Sequence, residues 1–352
     1  MTETPSPGQL NSQVNMADVA ERAGVSTATV SRALRGLPGV SPRTRDRVMS
    51  IVNELDYVVS PAASSLRGAT RRVAVVLPRL DSWFSSTMLS TIESTLRLAE
   101  LDVLVYQVGT SAERAAFFRQ LPTRRKVDAV VLVTLPIRPE EEERLDLFGV
   151  EVVVAGSRLR DFPSVGVDDV EIGATAIHHL VGLGHTRIGM IRTSDTDGAR
   201  WASDLHRRAG YLQALEHHGI DQDPDLLVTA PYGVDAGAVG MERLLSLEVP
   251  PTAVFCYSDD IAVAATTTLR RHGLHPPEDM SVVGVDGHAL GELFGITTID
   301  QRVEEQARAA ASMVLDLLSG RTPQEPHAVL PTTLVVRSSS GPVPLTGRPA
   351  RQ

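Results

Sequence analysis

Cysteine, lysine and long apolar stretches are scarce in this sequence. Of its 352 residues one is cysteine, Cys256, so no disulfide can form within the chain and no four-cysteine metal site can exist. The sole lysine, Lys126, follows an arginine, so the Gly-Lys pair of a phosphate-binding loop is missing. No run of about 18 apolar residues occurs, which excludes a transmembrane helix. Because the first residues also lack a secretory signal, we expect a cytoplasmic protein in a reducing compartment.

The length and composition of the chain are those of a folded, multidomain protein. The length favours roughly two to three domains, and 42% hydrophobic with 22% charged residues excludes a wholly disordered chain. The net charge of −9 is unevenly distributed. Residues 14–72 carry nine arginines against five acidic residues, a net +4; residues 1–13 add −1, so residues 73–352 carry −12. A basic amino-terminal module on an acidic body favours contact of that module with a polyanion, although a solvated charged surface remains open.

The basic module contains the start and end signals of three short helices. Asn15 is a good N-cap for a first helix, which Gly24 ends. Ser26 caps a second helix that runs to about residue 34, and Ser41 with Pro42 opens a third. Two helices of about eight residues across a three-residue turn with glycine are the signature of a helix-turn-helix.

The second of these helices has two different faces. One face, together with the first helix, can close a small core of Val19, Ala20, Ala23, Val30, Ala33 and Leu34. The opposite face carries Thr27, Ala28, Ser31 and Arg32, which are small or polar. Such a face lets the backbone approach a DNA groove, and Arg32 can donate two hydrogen bonds to a guanine edge. An ordinary surface helix also turns polar residues outward, so the face alone leaves both interpretations open.

The residues of this module carry a family resemblance. Residues 18–26, residues 29–34 and then Val40-Ser41, Thr44-Arg45-Asp46-Arg47-Val48 and Leu55-Asp56-Tyr57 together resemble the headpiece of the lactose-repressor (LacI/GalR) family of bacterial transcription regulators. The resemblance implies DNA contacts by Asn15, Ser26, Thr27, Ala28, Thr29, Ser31, Arg32, Ser41, Thr44 and Leu66. Within that family's pattern, residues 60–67 resemble a hinge helix whose leucine, here Leu66, wedges into the minor groove and kinks the duplex. A helix of about seven residues is too short to be stable alone, so we expect it to order only on DNA and against a second copy; a plain linker remains the alternative.

Beyond residue 70 the pattern changes to alternating strands and helices. Short Val-rich runs typical of parallel strands buried on both faces occur at residues 73–77, 103–108, 127–133, 150–155, 188–191, 253–256, 282–285 and 329–336. Helical stretches lie between most of them, near residues 86–99, 111–121, 169–183, 200–218, 235–247, 259–272 and 302–319. So many strands favour two doubly wound lobes.

The family resemblance continues through this body. It lies in residues 127–132, in Leu183-Gly184-His185-Thr186-Arg187-Ile188, and in residues 251–255, 281–286 and 297–301. It implies a periplasmic-binding-protein-like core with a small-molecule cleft between two lobes. The residues that match the family's ligand contacts are Phe84, Trp83, Arg207, Tyr232, Ser258, Asp259 and Asp286. The chain departs from the family at Ser258, where asparagine is usual, at Trp83, where proline is common, and at Gly156-Ser157, where Asp-Arg is frequent.

Two other classes of protein fit the sequence less well. An enzyme is disfavoured because the nearest dinucleotide-binding pattern, around Gly182 and Gly184, precedes a strand and lacks its third glycine. The adjacent pairs His178-His179 and His217-His218 are expected to splay around their helices, so the sequence predicts no catalytic site, no metal and no cofactor. A solute-binding protein of a sugar transporter would suit the body, but the missing signal peptide and the basic module oppose it.

The sequence therefore predicts a DNA-binding transcriptional regulator, a repressor controlled by a small molecule. Its partners are a pseudo-palindromic operator, an effector such as a sugar, and a second copy of the chain, without a membrane. The fold class is an all-α helix-turn-helix headpiece followed by an α/β two-lobed periplasmic-binding-protein-like core with doubly wound parallel sheets. The expected divisions are a disordered lead (1–13), the headpiece (14–59), the hinge (60–72), the core (73–340) and a disordered tail (341–352). Within the core the first lobe takes residues 73–168 and 299–326, and the second takes 169–298 and 327–340. The tail has no leucine heptads, so no tetramerising helix is expected.

Overall fold

A computed structural model of the chain describes residues 16–34, 39–55, 70–124, 127–138, 141–142, 145, 150–194, 201–231, 233 and 235–343. They belong to two compact units, divided between Thr70 and Arg71. The predictions for the lead (1–13), for Asn15, for the hinge with Leu66 and for Tyr232 lie outside the described residues.

The smaller unit is a bundle of three short helices, Met16–Ala23 (α1), Thr27–Leu34 (α2) and Pro42–Glu54 (α3). The turn between α1 and α2 depends on Gly24, whose φ of 61° lies in the left-handed region that glycine adopts without strain. Apolar side chains at helical spacing close a core of Val19, Ala20, Ala23, Val30, Ala33, Val48, Ile51 and Val52. The helix-turn-helix predicted from caps and spacing is therefore confirmed, and α3 supplies the side of the core that two short helices alone would leave open.

The larger unit contains two six-stranded sheets. In chain order, the strands of the described residues are Arg72–Leu77 (β1), Asp102–Gln107 (β2), Ala129–Val133 (β3), Glu151–Ala155 (β4), Ser164–Gly166 (β5), Ile188–Ser194 (β6), Leu227–Pro231 (β7), Ala253–Cys256 (β8), Ser281–Asp286 (β9), Thr297–Asp300 (β10), His327–Val329 (β11) and Thr333–Val335 (β12). The first sheet has the order β11-β5-β4-β3-β1-β2 and the second β12-β10-β9-β8-β6-β7. All pairs are parallel except β10 with β12. Central strands such as β3 are buried along their whole length, which explains their unbroken runs of valine.

Helices cover these sheets. They are Trp83–Leu98 (α4), Ser111–Arg124 (α5), Asp169–Gly182 (α6), Ala202–His217 (α7), Ala236–Leu245 (α8), Asp259–Arg271 (α9), Ala289–Leu293 (α10) and Val303–Leu318 (α11). Each sheet has a buried apolar cluster on its faces, and α4 and α11 share one with the first sheet. Within the described ranges, no helix combines the length and the apolar character needed to cross a bilayer.

The chain passes three times between the lobes, and the third passage differs from the prediction. It crosses after β5, after β10 and between β11 and β12, because β11 pairs with β5 in the first sheet while β12 pairs with β10 in the second. Residues 297–300 therefore belong wholly to the second lobe, and residues 327–329 to the first, which corrects the predicted boundaries at 299 and 327. The sequence predicts one strand over residues 329–336, but Pro331 has no N–H to donate to a sheet, and the chain changes sheets there.

The carboxyl-terminal residues 341–343 also differ from the prediction of a disordered tail. The backbone of Gly341 donates to Ser281 Oγ and accepts from the ring of His185 at 3.0 Å in each case. Val343 N donates to the carbonyl of Leu183 at 3.0 Å. Because these polar atoms are paired with the second lobe, the core extends at least to residue 343.

Helices α6 and α7 approach each other unusually closely. A Cβ atom at Gly210 would lie 1.9 Å from the carbonyl oxygen of Val170, and one at Gly173 would lie 2.1 Å from that of Arg207. Only glycine at these two positions lets the backbones meet at this distance. The close crossing fixes Asp169, at the start of α6, beside Arg207 on α7.

Candidate functional site

The first candidate site is the outward face of α2. The side chains of Thr27, Ala28 and Arg32 are exposed, whereas Val30 and Ala33 on the other face are buried. The side chain of Ser31 lies outside the described residues. The face predicted for DNA contact is therefore available, and Arg32 lies near the end of α2 where its guanidinium extends into solvent.

Two of the predicted contact residues have a capping role. Ser26 Oγ accepts a hydrogen bond from Thr29 N at 3.1 Å and lies 2.9 Å from Thr29 Oγ1. At the start of α3, Ser41 Oγ accepts from Thr44 N at 3.2 Å and lies 2.8 Å from Thr44 Oγ1. These serines satisfy amide groups that the first turn leaves unpaired. Their hydroxyls therefore hold the starts of α2 and α3, and their contact with DNA stays a prediction.

The second candidate site is a cavity between the two lobes of the larger unit. It encloses about 550 Å³ of empty space, its open mouth included. From the first lobe it is lined by Pro78, Arg79, Ser82, Phe84, Ser85, Thr134 and Gly156. From the second lobe and its connection it is lined by Asp169, Trp201, Ser203, Arg207, Tyr257, Ser258, Asp286 and Gln301. Polar groups thus converge where the carboxyl ends of parallel strands face a crevice.

Arg207 is buried and held by two partners. Its Nε donates to Asp169 Oδ1 at 2.8 Å, and its Nη1 donates to the carbonyl of Tyr257 at 2.5 Å. Burial lowers the pKa of Arg207, but Asp169, Tyr257 and Asp286 together more than offset this, so the net pKa is raised and the guanidinium stays charged. The guanidinium carbon also lies 4.7 Å from the centre of the Tyr257 ring. Arg207 is consequently a fixed cation whose charge is already matched by Asp169.

Asp286 is the second charged group from this lobe. It is 4% exposed, its Oδ1 accepts from Gln301 Nε2 at 2.5 Å, and its φ of 128° is unusual for a residue other than glycine. Burial and then the charge of Asp259 raise the pKa of Asp286 well above the ordinary range, although Arg207 acts in the opposite direction. A strained, buried acid that lines a cavity is typical of a binding site rather than of a structural core.

Aromatic side chains line the same cavity. Phe84 lies beside Gly156, where a Cβ atom would meet the Phe84 ring at 3.0 Å and Thr134 Cγ2 at 2.5 Å. The missing side chain at Gly156 therefore makes room for that ring. Trp201 and Tyr257 are stacked with ring centres 6.2 Å apart, and the Tyr257 hydroxyl is 2.8 Å from Ser203 Oγ. Burial raises the pKa of Tyr257 to about 12, so it stays neutral.

Several lining residues were missed in the sequence, and two that were predicted lie elsewhere. Asp169, Trp201, Tyr257 and Gln301 were not predicted. Trp83 and Asp259 line a neighbouring cavity of about 1490 Å³, its open part included, instead of this one. Trp83 contacts the ring of His288 with centres 4.6 Å apart, and Asp259 Oδ2 accepts from His288 N at 2.8 Å.

Both departures have a local structural cause. Ser258 caps α9 by accepting from Ile261 N, which leaves Asp259 on the side of the helix away from the cavity. Trp83 is the first residue of α4 and contacts His288, whereas the next residue, Phe84, lines the cavity. Trp83 and Asp259 therefore lie beside the neighbouring cavity and contact His288, and their ligand role stays a prediction.

The histidine pairs were predicted not to cluster, and this is wrong for three of the four. His178 Nδ1 lies 2.8 Å from His218 Nε2, and the His217 ring lies 5.7 Å from that of His178 and 5.1 Å from that of His218. The cause is the close crossing of α6 and α7, which brings their last turns together. His179 points away, to Ser340 at 2.9 Å. In the part of the chain that the structure describes, no group of three such side chains is arranged to hold a metal ion.

The three-helix unit and the two-lobed α/β body with its lined cavity together define a DNA-binding transcription regulator. Residues 15–60 match the family model described as bacterial regulatory proteins, lacI family, and residues 177–340 match a periplasmic binding protein-like domain. The chain is 32% identical over 334 residues to the HTH-type transcriptional repressor CytR of Escherichia coli (strain K12), which covers 94% of this chain and 97% of that protein. The chain therefore belongs to the lacI family of bacterial regulatory proteins.

Solved structures agree with this assignment. The transcriptional regulator CelR in complex with cellobiose is 29% identical, with a TM-score of 0.69, over 93% of this chain and 99% of that one. The Lac repressor dimer bound to operator and the anti-inducer ONPF, at 23% identity, shows the same fold with a TM-score of 0.77, over 93% of this chain and 99% of that one. The predicted headpiece and two-lobed core are thus confirmed as a fold.

Proposed function

We propose that this protein is a homodimeric repressor whose α2 helices read the two halves of a pseudo-palindromic operator, and whose operator affinity changes when a small molecule enters the interlobe cavity. The observation that carries the proposal is one chain with two separate surfaces for binding. One is the exposed face of α2 with Arg32, and the other is a cavity lined by the buried charges of Arg207 and Asp286. The activity is binding rather than catalysis, and a protein that acts on the chromosome works in the cytoplasm.

The relatives support the dimer and the ligand. The Lac repressor was solved as a dimer on its operator, and CelR was solved with cellobiose. Two-fold symmetry of the protein would place one α2 on each half-site, and an effector that favours one arrangement of the lobes would shift the population of dimers able to bind DNA. The hinge with Leu66, which lies outside the described residues, would order on the duplex in that population. We propose a sugar or a related metabolite as effector, bound by Phe84, Arg207, Ser258 and Asp286.

A solute-binding protein of a transporter is the alternative, and the smaller unit argues against it. A transport receptor has no use for a three-helix unit whose exposed face carries Arg32. The matching of residues 15–60 to a regulatory family also favours the repressor.

The proposal is tested by selection of DNA sequences with the purified protein, followed by competition binding. We expect an inverted repeat to be enriched. Arg32→Ala should weaken binding to it by about 1–3 kcal/mol, since a bidentate contact to a base is lost. Arg22→Ala is the matched control, because Arg22 is ion-paired with Glu54 at 2.6 Å on the surface and should contribute little. Equal losses on the repeat and on random DNA in the Arg32→Ala protein would contradict base reading by this residue, and failure to enrich any inverted repeat would contradict the proposal itself.

A further inference from the structure

We propose that the interlobe cavity selects a ligand with one positive charge, an amino sugar or a similarly small amine, and that Asp286 is the residue that selects it. This inference rests on the proposed function, because it specifies the ligand of the same cavity. It follows from the balance of charge among the residues that line the cavity.

Among the described residues, four charged side chains line the cavity, and three of them need no ligand. Arg79 donates to both carboxylate oxygens of Asp81, at 2.6 and 2.7 Å, so that pair is neutral by itself at the solvent-exposed mouth. Arg207 is matched by Asp169 at 2.8 Å, and both side chains of this pair are less than a tenth exposed. In the part of the chain that the structure describes, Asp286 remains as a buried acid without an ion pair of its own.

The groups that face Asp286 do not neutralise it. From α9, the carboxylates of Asp259 and Asp260 repel a charge on Asp286, and from α7 Arg207, already paired with Asp169, attracts it. Gln301 donates one neutral hydrogen bond. Together with burial, this environment raises the pKa of Asp286, so the empty cavity favours the protonated carboxyl.

A bound monocation displaces the proton from Asp286 and keeps the sum of the buried charges that line the cavity at zero. Arg207 and the ligand then carry two positive charges, and Asp169 and Asp286 carry two negative ones. Buried charges are tolerated when they are paired and hydrogen-bonded, and they are costly when one is left over. An anion would instead have to compete with Asp169 for Arg207 and would add a further negative charge beside Asp286.

The uncharged lining agrees with this choice. Phe84 and Trp201 line the cavity, and aromatic rings attract cations and not anions. Hydroxyls of Ser82, Ser85, Thr134 and Ser203 line it as well and can pair with the hydroxyl groups of a sugar. A small polar amine with hydroxyl groups satisfies both sets of partners.

The test measures thermal stabilisation of the full-length protein at pH 7.5 with nine compounds at equal concentration. They are glucosamine, galactosamine and mannosamine, the three parent hexoses, and the three corresponding uronic acids. We expect at least one amino sugar to raise the Tm, its parent hexose to bind at least tenfold more weakly, and the uronic acids to give no shift. Stabilisation by a uronic acid or by a hexose equal to that by the amine would overturn the inference, and so would the absence of any shift with all three amines.

Two variants show whether Asp286 is the selecting group. Asp286→Asn should bring the affinities for the amino sugar and its parent hexose within about twofold, since the charge that distinguishes them is gone. Asp260→Asn removes an equal charge from a residue that lines the neighbouring cavity and should keep the preference. Retention of the preference in Asp286→Asn, with the Tm of the unliganded protein preserved, would refute the role of Asp286. In the wild type, binding of the amine should weaken as the pH falls from 7.5 to 5, because a proton then competes for the carboxylate.

Operator binding, measured in the same samples, separates this inference from the proposed function. An operator affinity that responds to a uronic acid would leave the proposed function standing and remove the charge preference. An amine that binds the cavity without any change in operator affinity would support the charge preference and contradict effector control.

Discussion

The core of the three-helix unit is small enough that one substitution should weaken DNA binding and leave ligand binding by the larger unit unchanged. Val30 on α2 is fully buried among the eight apolar residues of that core. Val30→Ala removes two methyl groups, worth about 1.6 kcal/mol of transfer free energy, and a further contribution from the cavity brings the loss to about 2–3 kcal/mol. A unit of about 40 residues, from Met16 to Leu55, has a total stability of about 2–6 kcal/mol at usual values per residue. The substitution therefore removes a third or more of the stability of this unit.

The expected result is a loss of operator affinity, largest if the stability of the unit lies near the lower end of that range, with the larger unit unchanged. The apparent operator affinity falls with the fraction of protomers whose three-helix unit is folded, and a dimer needs both of these units. Gel-shift titration measures the operator affinity, and scanning calorimetry follows the melting of the larger unit. The Tm of the larger unit should stay within about 1 °C, because that unit has its own apolar cores and does not depend on Val30. Met49→Ala on α3 is the control, since Met49 is 41% exposed and outside the core. Operator affinity in Val30→Ala equal to that in Met49→Ala would refute the reasoning.

Two further substitutions test the body and the hinge. Gly210→Ala would place a Cβ atom 1.9 Å from the carbonyl oxygen of Val170, so α6 and α7 must separate. We expect a loss of stability of at least about 1–3 kcal/mol, seen as a lower Tm of the larger unit. Gly182→Ala is the control, since its Cβ atom would meet open space and should leave the Tm unchanged. An unchanged Tm in Gly210→Ala would mean that the helices are not in close contact in solution. Leu66→Ala, outside the described residues, should reduce bending of the operator in a gel-phasing assay if this leucine wedges between base pairs, and unchanged bending would count against the wedge.

Local signals were sufficient to predict the small unit from the sequence. Gly24, Ser26 and Ser41 mark the ends and starts of helices through short-range effects, namely a left-handed turn and side chains that pair with amides of the next turn. The bounds of α1 to α3 therefore agree with the prediction within a residue or two. Central strands such as β3 could also be predicted, because a strand buried on both faces consists of consecutive apolar residues.

The arrangement of the cavity depended on contacts distant in sequence. Arg207, Phe84, Ser258 and Asp286 were predicted at the cavity and line it, but their contact with a ligand stays a prediction. The pairing of Arg207 with Asp169, 38 residues away, depends on the close crossing of α6 and α7, and no local pattern reveals it. This pairing determines the charge preference of the cavity.

Two features could not be predicted from the local sequence. Asp259 was predicted as a ligand contact from its place after Ser258; that role stays a prediction, and its carboxylate accepts a hydrogen bond from His288 N. The histidines at 178, 217 and 218 meet because two helices end together, and this depends on glycines one or two turns away. Pro331 did offer a signal for the third passage between lobes, since proline interrupts a run that otherwise looks like one strand.

Each passage between the two lobes of the larger unit begins or ends at one edge of a sheet. In the first sheet they involve the neighbours β11 and β5, and in the second the neighbours β12 and β10, which are the last two strands at one edge of each sheet. The lobes are connected at these edges, and we expect them to separate most at the opposite edges, where β2 and β7 lie. If a ligand draws Asp286 and Phe84 together, we expect the largest displacement at these free edges, so that binding in the cavity becomes a rotation that grows with distance from the connected edge.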